Sequence, residues 1–222
     1  MLFRSPNHFR LFTRGPGFRL SAEMVRDQAL AIAGLLVEKI GGASVKPYQP
    51  EGLWAELSGQ SYQQDHGENL YRRSMYTFWK RTIPPPTMAN FDASSRETCV
   101  VRHNLTNTPL QALDLMNNVT FVEAARVLAQ RMMKESGTTP EERIAFAFRL
   151  ATARLPNSTE SNLLLDSFHY QLDNFKTKPD TALKYLSQGE YPRDERLDVS
   201  ELAAYSSVAS LILNLDETVT KE

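Results

Sequence analysis

Cysteine is almost missing from this chain. One residue, Cys99, stands among 222, so an internal disulfide and a cysteine-rich metal cluster are both excluded. No Cys-x-x-Cys-His string is present, and covalent haem attachment is not expected. Long apolar runs are missing too. The longest apolar-leaning stretch, Ala29 to Val37, is far too short to cross a bilayer. Met1 to Leu20 carries arginines and aromatics without an apolar centre, which is neither a signal peptide nor a membrane span. If the chain is part of a longer product, an export signal would lie upstream. Charge of one sign is not in excess. The net charge is -1, so the whole molecule does not attract nucleic acid or anionic membranes, and any basic site must be local. The strings Gly-x-Ser-x-Gly, His-Glu-x-x-His, the phosphate loop and Gly-x-Gly-x-x-Gly are absent. An acid–base site assembled from distant residues is not excluded by that.

What is present is ordinary globular material, 41% hydrophobic and 23% charged, in a length able to bury a core without metal or disulfide support. The helical signals are strongest after residue 107. Thr108 with Gln111, Thr120 with Glu123, Thr139 with Glu142 and Asp198 with Glu201 have capping-box spacing. Pro109 and Pro140 occupy first-turn positions. Apolar stripes follow: Ala125, Leu128, Ala129 and Met132; Ile144, Ala147, Phe148 and Ala151; Leu202, Tyr205, Ala209 and Ile212. A further helix is expected over 158–175, with Leu164, Phe168, Gln171, Leu172 and Phe175 on one side.

Before residue 108, an opening helix starts at Ser21 and runs to Gly41-Gly42, with Val25, Ala29, Ile32 and Leu36 as its stripe. Residues 43–69 read as loop, pinned to the core by Trp54. Residues 71–82 are read as a helix stopped by Pro84-Pro85-Pro86. A polar connector follows over 87–106, with a short strand at 99–101. The fold class is therefore mainly α: one irregular helical domain over 1–222, with a loop-rich polar half at 1–107 and a helical bundle at 108–222.

Several ordered strings carry a family resemblance. They include Phe18-Arg19-Leu20, Ser44-Val45-Lys46-Pro47-Tyr48-Gln49-Pro50 and Tyr71-Arg72-Arg73-Ser74. Tyr76-Thr77-Phe78-Trp79-Lys80-Arg81-Thr82, Thr106-Asn107-Thr108-Pro109-Leu110-Gln111 and Ile212-Leu213-Asn214-Leu215-Asp216-Glu217 continue the series. Together they resemble the C-terminal part of the planctomycete domain of unknown function 1553. The resemblance implies an exported, periplasmic or extracellular parent protein, in which upstream domains include a c-type cytochrome. Haem would sit there and not in this chain. The partners implied are those upstream domains or a cytochrome-bearing protein. The resemblance brings no catalytic residues with it.

One polar cluster stands out. Arg72, Arg73, Lys80, Arg81, Arg96 and Arg102 lie near Asp92, Glu97 and Asn107, interleaved with Tyr71, Tyr76, Phe78 and Trp79. Guanidinium forks bind carboxylate, sulfate or phosphate, and aromatic faces bind sugar rings. The cluster is expected to form one spatial unit around Arg73, Asp92, Arg96 and Glu97. It is either a site for an anionic or carbohydrate-like ligand, with Asp92 or Glu97 as acid or base, or an ion-pair network holding the loops. A second group, Arg19, Glu23, Arg26 and Asp27, is read as helix-surface pairing or as another wall of the same site. Asp166, His169 and Asp173 fit a solvated helix face better than a metal site. His8, His66 and His103 show no partner pattern, and Cys99 is expected as a buried small hydrophobe. The best functional expectation is a non-catalytic binding or scaffold module. The alternative is a hydrolase or lyase acting on anionic polysaccharide, or a redox component served by haem elsewhere.

Overall fold

The computed structural model describes residues 17–99, 101 and 105–221. The chain is mainly α. Its order begins with β1 (Phe18–Arg19), α1 (Ala22–Ala33) and α2 (Leu53–Ser58). Two 3-10 turns follow, Gly67–Tyr71 and Ser74–Tyr76, then α3 (Pro86–Asn90). The second half holds α4 (Pro109–Asn117), α5 (Val119–Glu135), α6 (Pro140–Thr152), α7 (Ser158–Thr177) and α8 (Pro179–Leu186). It closes with α9 (Val199–Leu213), α10 (Asp216–Val219) and β2 (Thr220–Lys221).

Helix α5 is the axis. Every residue from Thr120 to Gln130 is buried, because α1, α4, α6 and α9 all pack on it. Such a helix is apolar on nearly all sides, and Phe121, Ala124, Ala125, Leu128, Ala129 and Met132 supply that surface. Helix α9 is its main neighbour and also supports α6, α7 and α8. Tyr205 of α9 is fully buried and stacks on Phe168 of α7, with ring centroids 4.3 Å apart. Burying side chains of this size contributes about 1.5–3 kcal/mol each.

The helix ends follow local chemistry in different ways. Thr139 and Glu142 make a full capping box, as do Asn157 and Glu160. Asp198 accepts from the Glu201 backbone N–H at 2.8 Å, while the Glu201 carboxylate pairs with Arg143 at 2.6 Å. The other two expected boxes do not form. Asn118, not Thr120, caps α5, and Thr108 makes no side-chain cap bond. In both cases the partner three residues on is engaged elsewhere: Glu123 in the core and Gln111 with Arg19.

The loop-rich half departs from its expected outline in two places. Helix α1 stops at Ala33, well before Gly41-Gly42, because Gly34 takes the left-handed conformation at φ 79° and closes the helix end. Residues 71–82 do not form the expected α-helix; only the short 3-10 turn Ser74–Tyr76 and the end of the one before it fall here. Their backbone groups bond sideways instead: Val37 N–H to Tyr71 O, Val45 N–H to Tyr76 O and Phe78 N–H to Val45 O, at 2.7–3.0 Å. Those lateral bonds use the groups an α-helix would need for itself. Trp54 is buried as expected, against Tyr62 and Phe78. The expected strand at 99–101 falls partly outside the described residues. Cys99 itself is exposed, not a core residue, because its connector runs over the surface there.

β1 and β2 pair antiparallel, Phe18 with Lys221 and Arg19 with Thr220. The two ends of the described chain therefore meet. Among the described residues no helix is long and apolar enough to cross a membrane.

Candidate functional site

The singled-out polar residues divide into separate groups. Arg26 is buried, and its guanidinium donates to Arg72 O at 2.9 Å, Ser74 Oγ at 3.1 Å and Leu70 O at 2.5 Å. Burial lowers its pKa to about 10, with Asp27 and Tyr62 opposing that change. Asp27 accepts from the backbone and hydroxyl of Ser74 at 2.7 and 2.6 Å. Arg73 reaches Asp27 at 3.9 Å but is half exposed. Arg72 is buried as well and donates to three carbonyl oxygens, those of Ala43 (3.0 Å), Lys39 (3.1 Å) and Gly41 (2.5 Å). The Tyr76 ring covers it at 4.0 Å. So Arg26 and Asp27 of the second group do join Arg72 and Arg73 of the first. They join as a clamp between α1 and the following loops.

Asp92 belongs to another network. It sits at φ 60° and accepts from Thr106 N–H at 2.6 Å and Thr106 Oγ1 at 2.7 Å. Gln111 links it to Arg19: Arg19 donates to Gln111 Oε1 at 2.8 Å, and Gln111 Nε2 donates to Asn90 O at 2.8 Å and reaches Asp92 Oδ2 at 3.5 Å. Arg96 is exposed and lies over Trp79, 4.6 Å from the ring centroid. Lys80 lies over Trp54 at 4.7 Å and donates to Gln60. Glu97, Arg81 and Asn107 are exposed, Glu23 is half-buried, and none of the four makes an ion pair among the described residues. Arg102, His103 and His8 lie outside the described residues. The expected single unit of Arg73, Asp92, Arg96 and Glu97 thus does not assemble. Arg73 turns to Asp27, Asp92 to Thr106 and Arg96 to the Trp79 ring, while Glu97 faces solvent.

A different cluster gathers the buried charge, and it centres on Glu123 of α5. Glu123 is 1% exposed and Arg126, one turn on, is 2% exposed. Glu123 Oε1 accepts from Tyr71 Oη at 3.0 Å and from the Tyr191 N–H at 2.6 Å. Arg126 donates to Tyr191 O at 2.6 Å and lies 3.7 Å from the Glu123 carboxylate. Tyr48 Oη accepts from the Glu190 N–H at 2.8 Å. Burial and the Glu123 charge push the Tyr48 phenol up to about 12 and raise Tyr71 as well. Burial lowers Arg126. Glu123 Oε2, Arg126 Nε and Nη1 and Arg193 Nη1 are buried without a hydrogen-bond partner among the described residues.

A strap over residues 187–198 closes this cluster from outside. Gly189 lies so close to the Glu123 carboxylate that a Cβ there would overlap it, and its φ of 83° favours glycine independently. Asp194 holds the strap to α5 through Gln130 (2.7 Å) and Lys134 (2.5 Å). On the other side Glu190 accepts from Gln64 and pairs with His66 at 2.6 Å. Reading the sequence for capping boxes missed this cluster. The signal available was a polar row, Glu123, Arg126, Gln130 and Lys134, recurring every three or four residues along one side of α5.

Among the described residues no group of three or more His, Cys, Asp or Glu side chains could hold a metal ion. Asp166, His169 and Asp173 are exposed on α7.

A family model described as PSD1, protein of unknown function (DUF1553), matches residues 3–168. The chain belongs to this family. The match spans α1 to the middle of α7 and takes in Arg26, Arg72, Glu123 and Arg126, while the strap and α9 lie beyond it. No curated protein and no solved structure matches the chain.

Proposed function

We propose that this chain is a non-catalytic binding or scaffold module. The observation that carries the reading is the use made of two buried guanidinium groups in the loop-rich half. Arg26 and Arg72 spend their donors on backbone carbonyl oxygens of their own chain. Groups so engaged fix loops in place, and they are not free to stabilise charge on a substrate. Asp92 is likewise taken by Thr106, and Glu97 stands apart in solvent. A catalytic carboxylate pair would converge on one cleft.

On this reading the module serves a larger exported, cytochrome-associated protein outside the cytoplasm. It docks that protein's other domains or holds polysaccharide for them, with haem in those domains. The competing reading is a hydrolase or lyase on anionic polysaccharide, with Asp92, Glu97 or Glu123 as acid or base.

The two part in one assay. The purified chain is incubated with polygalacturonate, alginate and chondroitin sulfate. New reducing ends and the ultraviolet absorbance of unsaturated ends are then followed. No product is expected. Product that disappears in Asp92→Asn or Glu123→Gln would establish the enzyme and end the scaffold reading.

A further inference from the structure

We propose that the groove between residues 49–55 and 60–64 binds a neutral glycan. The proposal rests on the binding-module reading above and gives it a ligand class. The groove has a volume of about 380 Å³ and is lined by Gln49, Trp54, Gln60, Ser61, Tyr62 and Gln64, among others. That volume lies within the range of small-molecule sites.

Three glutamines in this wall are each tied at one end. Gln49 Oε1 accepts from Trp54 Nε1 at 2.9 Å. Gln60 Oε1 accepts from Lys80 Nζ at 2.8 Å. Gln64 Nε2 donates to Glu190 Oε1 at 3.2 Å. The partner chemistry fixes which end is which, since indole N–H and ammonium only donate and a carboxylate only accepts. The Gln49 and Gln60 amide nitrogens are therefore left as donors, and the Gln64 carbonyl as an acceptor. The Ser61 hydroxyl can do either.

Donors and acceptors held in mixed order suit a ring bearing neighbouring hydroxyl groups. The apolar counterpart is Tyr62, half-buried in the same wall and backed by the buried Trp54 at a ring-centroid distance of 5.2 Å; its remaining surface suits the C–H face of a sugar. Charge argues against an anionic ligand here. The nearby cation, Lys80, is already directed to Gln60 and the Trp54 ring, and Glu51 stands in the same wall.

The test uses the full chain in calorimetric titrations with cellohexaose, laminarihexaose, xylohexaose and mannohexaose. Trigalacturonate serves as the charged comparison. At least one neutral hexaose should bind. Gln60→Ala and Ser61→Ala should each weaken binding about three- to tenfold, the worth of one hydrogen bond. Gln60→Glu keeps the Lys80 contact and replaces the free donor with an acceptor, so it should weaken binding at least as much. In a Trp79→Phe background Trp54 is the remaining tryptophan, and its fluorescence should change on saturation. Each variant is first shown to unfold at the parent temperature. Failure of all four neutral sugars to bind, binding indifferent to these substitutions, or tighter binding of trigalacturonate would overturn the proposal. None of those results touches the non-catalytic reading, which falls only if sugar chains are cleaved.

Discussion

The two halves of this molecule are held together by different physics. From α4 onward, helices bury apolar stripes against α5 and α9, and the buried charge of Glu123 and Arg126 is held mid-helix beneath the strap. Before α4, few stripes exist to bury. There Arg26 and Arg72 enter the interior and take up loop carbonyl groups that no helix or sheet would satisfy. Non-directional burial tolerates many sequences of similar volume. Directional clamping depends on particular donors at particular places. A loop-rich region can therefore be as defined as a helical one when most of its buried polar groups are answered; Arg72 Nε and Thr77 Oγ1 are the exceptions among the described residues of this half.

The largest expected effect lies in the helical half. Phe148 is 1% exposed, and Phe148→Ala should cost about 3–5 kcal/mol through lost burial and the cavity left behind. Urea unfolding followed by far-ultraviolet ellipticity should show one cooperative loss. A cost below about 1 kcal/mol would mean that the α5–α9 core is not what carries that half.

The clamp is the next test, and it sets two arginines of similar sequence context against each other. Arg72→Met should cost about 1–3 kcal/mol, because buried carbonyl groups lose their donors. The damage should be local, with faster amide exchange at Val37, Val45 and Phe78 while α5 and α9 stay protected. Arg96→Ala, which loses only an exposed contact with Trp79, should cost less than about 1 kcal/mol. Equal costs for the two would erase the distinction between clamp and surface charge. Uniform loss of protection in Arg72→Met would show that the halves are not separately held.

The smallest effect concerns acid. Arg154 bridges Glu160 at 2.6 Å and Glu217 at 2.7 Å across the helical half. Its hydrogen bonds lower the Glu160 carboxyl from 4.5 to about 2. A carboxyl depressed in the folded state stabilises above its unfolded pKa, and that contribution fades as pH falls from about 4.5 towards 2. Solvent screening keeps it small. Thermal unfolding across this window should show a shallower acid decline in Arg154→Met than in the parent. Identical declines would remove the bridge from any account of the half's stability.

These contrasts also explain what could be read from sequence. Stripes and caps are local patterns, so α5, α6, α7 and α9 were legible to within a few residues. So was the full box at Thr139 and Glu142. Side-chain destinations over long separations were not. Arg72 and Arg96 look alike in the chain, yet one enters the interior and the other lies on Trp79. Glu123 had the spacing of a capping residue, but Asn118 had already taken that role and α5 carried the acid into the core. The end of α1 was missed because Gly41-Gly42 is the more conspicuous pair, while the single Gly34 supplies the left-handed turn. Grouping by proximity in sequence placed Arg73, Asp92, Arg96 and Glu97 in one unit. Their partners turned out to be Asp27, Thr106, Trp79 and solvent.

The short ladder between Phe18–Arg19 and Thr220–Lys221 has a consequence for how this module can be joined to others. Because the two strands run antiparallel, Phe18 and Lys221 lie side by side, and the described residues begin and end at one place. A host protein could accept the whole body inside one of its surface loops without spreading the loop's anchor points. A new start cut at the exposed Gly59, with the old ends linked across the ladder, should likewise leave the helices around α5 in register. Segments joined directly to Phe18 and to Lys221 would start side by side, so neighbours tethered there would crowd one another.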